Sequence, residues 1–171
     1  MTNPPPTLQR METLLRDWEA SGDSRAVFLG CYRLMTLNML EAVGRREFHD
    51  PEWVEGLLHH FAGYYFRALE GWQAGDPDTP SVWRLTFEAA ERPETPVLRL
   101  LMLGVNAHIN YDLIFTLVDL LRDEWPDLGP GERRLRRADH RRVNEVIHRT
   151  VDVVQDNVLA TRQPSLRVVD R

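Results

Sequence analysis

The stretch that decides the fold is VLRLLMLGVNAHINYDLIFTLVDLLRDEW, residues 97–125. Its apolar residues lie on every side of a helix and show no strand-like alternation, so the sequence predicts one long helix here. The same stretch also carries polar side chains, and burying such a side chain costs free energy unless it has a partner. We therefore expect a buried central helix that holds polar groups inside the protein, namely Arg99, Asn106, His108, Asn110, Asp112 and Asp119.

Helix-start signals outside this stretch indicate an all-α protein. Asp50-Pro51-Glu52 offers a capping carboxylate, a proline suited to the first helical position and an acid that complements the helix dipole. Thr79-Pro80 and Thr95-Pro96 repeat the cap-and-proline pattern. Together with helical periodicity elsewhere, these signals predict a bundle of about six helices, at residues 8–20, 25–43, 51–73, 80–91, 97–125 and 132–160.

The length of 171 residues predicts a single domain with a substantial core. Residues 1–7 contain three consecutive prolines and are expected to form a flexible N-terminal arm. The helical-bundle domain is expected over residues 8–163, and Pro164 stops its last helix. Residues 164–171 are expected to be a C-terminal tail or a truncated continuation of the chain.

Composition and charge exclude several classes of protein. The net charge of −5 disfavours nucleic-acid binding, and the seven arginines between residues 133 and 149 are interpreted as a solvated helix face. The single Cys31 and the absence of a secretory signal predict a cytoplasmic protein without a disulfide. No membrane span is expected, because each charged residue within 97–125 would cost about 2.5–3.5 kcal/mol at a membrane centre.

Helical phasing sorts the polar residues of the central helix into two sets. Asn106 and Asn110 fall on one face, and His108 and Asp112 fall together on the nearly opposite face. A carboxylate four residues after a histidine can fix the imidazole tautomer for general-base catalysis, or both side chains can ligate a metal. Alternatively, Asp112 only satisfies a buried histidine by a hydrogen bond. The sequence leaves these three interpretations open, with His108 and Asp112 as the candidate catalytic residues.

Neighbouring helices supply further candidates for the same site. His60 with Tyr64 is expected to face inward from the third helix, and Asn144 lies beside the valine stripe of the sixth. A divalent metal, if bound, would be held by His60, His108 and Asp112. The full set of expected ligand contacts is His60, Tyr64, Trp83, Asn106, Asn110, Phe115 and Asn144.

The segment GVNAHINYDL, residues 104–113, resembles the hallmark G-x-N-A-H-I-N-x-D-L of an uncharacterised bacterial helical family that is common in actinobacteria. YYFRAL (64–69), TPSVWRLTF (79–87) and the D-x-x-x-V-N pattern (139–144) follow the order of that family. The resemblance implies an all-α fold, and family members often continue with further helices. It implies no activity, since the family has none assigned. It also implies a shared centre at Asn106, His108, Asn110, Asp112 and Asn144.

The sequence thus favours a small enzyme, plausible in specialised metabolism, in which His108 and Asp112 act as acid and base on a largely apolar small molecule. A non-catalytic domain for ligand binding or protein interaction, with a purely structural motif, is the first alternative. A metal-binding helical bundle is the second. A homodimer is compatible with the sequence, which does not indicate the oligomeric state.

Overall fold

The computed structural model describes residues 5–154, with side chains described up to residue 150. Six helices follow one another along this part of the chain, and it contains no strand. They are α1 (Pro6–Ser21), α2 (Ala26–Gly44), α3 (Pro51–Ala74), α4 (Ser81–Ala90), α5 (Val97–Leu121) and α6 (Pro130–Val154). The predicted all-α bundle of about six helices is confirmed.

The three predicted helix starts all begin helices, but only the first has a side-chain cap. Asp50 accepts a hydrogen bond from the backbone N–H of Trp53 at 3.0 Å, and Pro51 occupies the first turn of α3. α4 and α5 are preceded by proline and have no side-chain cap. Because proline fixes its own φ close to the helical value, it is sufficient to begin these two helices.

The ends of the helices differ from the predicted ends by a few residues. α1 begins at Pro6, because proline is tolerated at the first helical position, so part of the predicted 1–7 arm is helical. α5 ends at Leu121 rather than at residue 125. Residues 1–4, the predicted end of the last helix near residue 160 and the predicted tail at 164–171 lie outside the described residues.

Among the described helices, α2 packs most extensively against the others. It packs against α1, α3, α5 and α6, and nine of its 19 residues are buried. α5 packs against α2, α3 and α4, and only seven of its 25 residues are buried. The expectation that α5 is a central helix buried on every side is therefore not confirmed.

α5 exposes a row of large apolar side chains. Each of them is between 37 and 56 % exposed: Leu98, Met102, Val105, Ile109, Ile114, Phe115 and Val118. The physical reason is the position of α6, which packs along α2 and leaves this side of α5 uncovered by the residues that the structure describes.

Two helices, Ala26–Gly44 and Val97–Leu121, are long and apolar enough to cross a membrane. Core helices of soluble proteins pass the same test, so this is weak evidence for a span.

α6 is fixed to the turn before α3 by a buried carboxylate. Asp139 accepts hydrogen bonds from the backbone N–H groups of His49 and Asp50, at 2.8 and 2.9 Å. Arg136, one turn earlier, binds Asp50 at 2.6 Å and Glu124 at 2.7 Å. These contacts hold the first half of α6 in place, so that its second half forms one side of the cavity described below.

Candidate functional site

The polar centre of the protein lies on a π-helical turn inside α5. Residues Val97–Ala107 and Leu113–Leu121 are α-helical, and His108–Asp112 between them form a π-helix. Single π-helical turns inside α-helices occur frequently at functional sites. The first and the last residue of this turn, His108 and Asp112, are both buried.

His108 and Asp112 form the pair that the sequence predicted. The Nδ1 of His108 lies 2.8 Å from Oδ2 of Asp112, and the two residues are only 3 % and 1 % exposed. Trp83 of α4 donates its indole N–H to both oxygens of the same carboxylate, at 3.0 and 3.1 Å. Asp112 thus holds donors from two helices, which fixes both the carboxylate and the imidazole.

The hydrogen bonds assign the proton on the His108 ring. Because an ionised carboxylate only accepts, the proton is on Nδ1 and the lone pair of the neutral ring is on Nε2. Nε2 is buried and has no hydrogen-bond partner in the described structure. Burial lowers the pKa of His108, against the opposing effect of the Asp112 hydrogen bond and charge, so the ring is neutral at pH 7. The ring therefore keeps one buried acceptor unused.

Aromatic rings enclose His108. Phe61 stacks on the imidazole at 3.6 Å between ring centroids, and Tyr32 lies edge-on at 4.2 Å. Phe28 packs at 5.8 Å and also closely against Gly104, where an added Cβ would lie 2.4 Å from the Phe28 ring. Gly104, the glycine of the GVNAHINYDL motif, is therefore needed so that Phe28 can reach the histidine.

A cavity of about 370 Å³ lies beside His108, and we call it the apolar cavity. Its wall is formed by residues of α2, α3, α5 and α6. Its polar wall residues are few: Tyr32, Thr36, His108, His140 and Asn144. Most of its other wall residues are apolar, among them Met35, Met39, Leu57, Phe61, Leu101, Val105, Val143 and Ile147. Its volume falls within the range of about 300–1,000 Å³ that is typical of small-molecule sites.

The structure brings only some of the predicted site residues together. His108 and Asn144 line the apolar cavity, and Asp112 and Trp83 support His108 from the side of α4. Trp83 is fully buried and is not a wall residue of this cavity, so its predicted ligand contact stays a prediction. The indole positions Asp112.

The predicted inward orientation of His60 and Tyr64 is wrong. His60 binds Asp119 through Nε2 at 3.0 Å, and the Tyr64 hydroxyl donates to the same carboxylate oxygen. This group lies at the surface between α3 and α5, and Phe61, one residue further along α3, faces His108 instead. A step of one residue turns a side chain by about 100° around a helix, which is enough to exchange the two.

Three other predicted contacts also lie outside the apolar cavity. Asn110 donates to the side-chain oxygen of Asn106 at 2.8 Å, and both amides are exposed on α5. Phe115 is 42 % exposed and packs against Tyr64 and Tyr111. These three side chains follow the solvent side of α5, which the sequence predicted to be buried.

The predicted metal set is not assembled. His60 binds Asp119 on the surface, whereas His108 and Asp112 are buried with Trp83. Within the described residues no group of three or more histidine, cysteine, aspartate or glutamate side chains is placed to hold a metal ion.

Sequence reasoning missed Tyr32 and Phe61 as the immediate neighbours of His108, and it missed the supporting role of Trp83. The many aromatic residues of α3 could have indicated Phe61. The residue of α3 that faces His108 had to be chosen between the adjacent His60 and Phe61. No local signal connects Tyr32 or Trp83 with His108, since they come from α2 and α4 and meet it only through packing.

Comparisons with known proteins show the family but no activity. No curated protein and no solved structure matches the chain. A family model described as a family of unknown function, DUF5995, matches residues 6–171. The match covers nearly the whole chain, and this protein therefore belongs to that family of unknown function, as the sequence predicted for an uncharacterised family.

Proposed function

We propose that the protein binds a largely apolar small molecule in the apolar cavity and that His108, oriented by Asp112, acts on it as a general base. The observation that carries this proposal is the buried Nε2 of His108, which has no hydrogen-bond partner and belongs to a residue of the cavity wall. An unsatisfied buried acceptor costs about 1–3 kcal/mol, and bound ligand can supply the missing donor.

The chemistry of the wall supports a ligand of mixed character. Most of the surface is apolar, so burial of hydrocarbon provides the affinity. Thr36 uses its hydroxyl to donate to the backbone carbonyl of Tyr32 at 2.9 Å, so it is already engaged. The remaining polar wall residues, which can orient a polar substituent, are Tyr32, His108, His140 and Asn144. The expected ligand is therefore a hydrophobic molecule with one or two polar groups, at least one of them an O–H or N–H donor.

The His108–Asp112 pair supports a proton-transfer role. In the resting state Nε2 of the neutral ring accepts the proton of the bound donor group. The imidazolium that forms keeps its Nδ1–H bond to Asp112, whose negative charge stabilises it in a site of low dielectric constant. The Trp83 indole holds the carboxylate in the orientation that this bond requires.

A second candidate is a non-catalytic binding protein in which the pair only holds helices together. The observation that favours it is the chain of hydrogen bonds from Trp83 through Asp112 to His108, which ties α4 to α5 inside the core. In this case the ligand fills the apolar cavity without proton transfer, and Asp112 contributes to stability alone.

Binding is tested with N-phenyl-1-naphthylamine, a neutral apolar fluorophore with one N–H donor. We expect enhanced fluorescence with the wild type and at least a tenfold loss of affinity in Val143→Phe, because the larger ring fills the cavity from α6. Leu135→Phe is the matched control, since Leu135 is an exposed residue of the same helix outside the cavity wall. Equal binding by all three proteins would refute the cavity as the site.

Asp112→Asn separates the two candidates. The amide keeps an acceptor for Trp83 but donates to Nδ1 of His108, so nitrogen NMR should report the proton moved to Nε2. For a functional pair we expect unfolding free energy within about 1 kcal/mol of the wild type, together with weaker fluorophore binding, because Nε2 no longer accepts. A loss of about 2–3 kcal/mol with unchanged binding would support the structural role.

A further inference from the structure

A second cleft, of about 400 Å³, lies on the other side of Asp112. It is formed by the C-terminal half of α3, the loop that leads to α4 and the middle of α5. We call it the acidic cleft. Its wall consists of Tyr64, Arg67, Ala68, Gly71, Asp76, Asp78, Thr79, Pro80, Tyr111, Asp112 and Phe115. None of these residues except Asp112 belongs to the proton-transfer group proposed above, so the cleft is a separate feature.

The wall of the acidic cleft contains an unused buried hydroxyl. Thr79 is 5 % exposed, and its Oγ1 has no hydrogen-bond partner in the described structure. This oxygen faces Gly71, since a Cβ added to the glycine would lie 2.8 Å from it. A side chain at position 71 would therefore press against the hydroxyl. A buried hydroxyl without a partner is costly, and a donor or acceptor on a bound molecule would satisfy it.

The charges around the acidic cleft favour a cation. Three carboxylates line it, Asp112 in the protein interior and Asp76 and Asp78 at the exposed rim. They face one guanidinium group, that of Arg67, which lies 4.3 Å over the ring of Tyr64. One oxygen of Asp76 also accepts the backbone N–H of Asp78 at 2.9 Å, which fixes the rim. Carboxylates thus outnumber cations in the wall, and a positive ligand meets a net attraction.

Aromatic rings complete the wall on the side of α5. Tyr111 and Phe115 lie 4.8 Å apart between centroids, tilted by 56°. Tilted rings of this kind can pack against an aryl or alkyl group, and their faces attract a cation. The cleft thus combines an apolar wall, acidic groups and one unpartnered hydroxyl.

We propose that the acidic cleft binds the ammonium group of a small aryl- or alkylamine. The ammonium lies between the rim carboxylates of Asp76 and Asp78 and the Thr79 hydroxyl, and the hydrocarbon part packs against Tyr111 and Phe115. An ammonium group offers three N–H donors, which matches a wall of carboxylate and hydroxyl oxygens. The site does not depend on the proposed function of His108, because the ligand contacts neither that ring nor the apolar cavity.

The probe is 2-phenylethylamine, compared with 2-phenylethanol by calorimetric titration at pH 7. The two molecules have the same hydrocarbon part, and only the amine is charged. We expect the amine to bind at least tenfold more tightly than the alcohol. Asp76→Asn combined with Asp78→Asn should weaken the amine at least tenfold, whereas Asp127→Asn, an exposed carboxylate in the loop before α6, should leave it unchanged.

Two further variants test the geometry of the cleft. Thr79→Val and Gly71→Ala should each weaken the amine at least threefold, the first by removing the hydroxyl and the second by placing a methyl group against it. His108→Leu should retain amine binding. The measurement of amine binding therefore tests the acidic cleft separately from the proposed function of His108. Circular dichroism confirms that each variant is folded. Equal affinity for amine and alcohol, or amine binding unchanged by the rim and Thr79 variants, would overturn the proposal.

Discussion

Gly104→Ala is the sharpest test of the packing around His108. The added Cβ would lie 2.4 Å from two ring atoms of Phe28 and 2.8 Å from its Cβ, well inside van der Waals contact. Phe28 has little room to retreat, because it packs against Tyr32, Tyr65 and Trp83 as well as His108. Overpacking of a core costs about 1–3 kcal/mol. The gain from replacing a helical glycine by alanine is about 0.5–1 kcal/mol. Because Phe28 is held by four neighbouring rings, the upper end of the overpacking cost applies, and we expect a net loss of about 2 kcal/mol.

Urea denaturation measures this loss of unfolding free energy directly, and thermal unfolding should show a fall in Tm of about 4–8 °C for a protein of this size. Gly56→Ala is the matched control, because Gly56 is an exposed glycine inside α3 with no atom within 4 Å of its added Cβ. That variant should be more stable than the wild type by about 0.5–1 kcal/mol. A Gly104→Ala protein as stable as the Gly56→Ala protein would refute the close approach of Phe28 to α5.

Three other variants test the buried polar groups. Trp83→Phe removes the indole donor from a buried carboxylate and should cost about 1–3 kcal/mol of unfolding free energy; urea denaturation should show a smaller loss for the half-buried Trp72→Phe control. The pKa of His108 in the folded protein is below its ordinary value of 6.5. As the pH falls, His108 is therefore protonated in the unfolded chain at a higher pH than in the folded protein. Stability should therefore fall as the pH drops below about 6.5, and this part of the pH dependence should be absent from His108→Gln. Asp139→Ala leaves the two backbone N–H groups before α3 without their acceptor and should cost about 2–4 kcal/mol by the same assay, whereas the exposed Asp127→Ala should have no measurable effect.

Local chemistry made much of the fold predictable. Asp50-Pro51, Pro80 and Pro96 each precede or begin a helix, because proline geometry and a capping carboxylate act within one turn of the chain. The pairing of His108 with Asp112 was predictable for the same reason, since four residues separate them on one helix. The expected membership of a helical family of unknown function was also correct, since the family model matches residues 6–171.

The wrong predictions concern features that depend on contacts between helices and not on the sequence of one helix. His60 and Phe61 are neighbours in the chain, and only the packing of α3 against α5 decides that the phenyl ring faces His108. Likewise, periodicity gives α2 and α5 similar apolar character, and only the path of α6 along α2 leaves one side of α5 exposed. The Trp83 indole reaches Asp112 across 29 positions of sequence, beyond any local pattern.

The sequence by itself determined the all-α class, the number of helices, their approximate limits and the His108–Asp112 pair, because hydrogen bonding and side-chain spacing within a helix are local. The tertiary structure alone decided that α2 packs most extensively against the other described helices, that the unpartnered Nε2 of His108 lies on a residue of the apolar cavity wall, and that an acidic cleft lies behind Asp112. A cavity is the space left where four helices fail to meet. Its position depends on how all four helices pack together, and the sequence of one helix does not determine it.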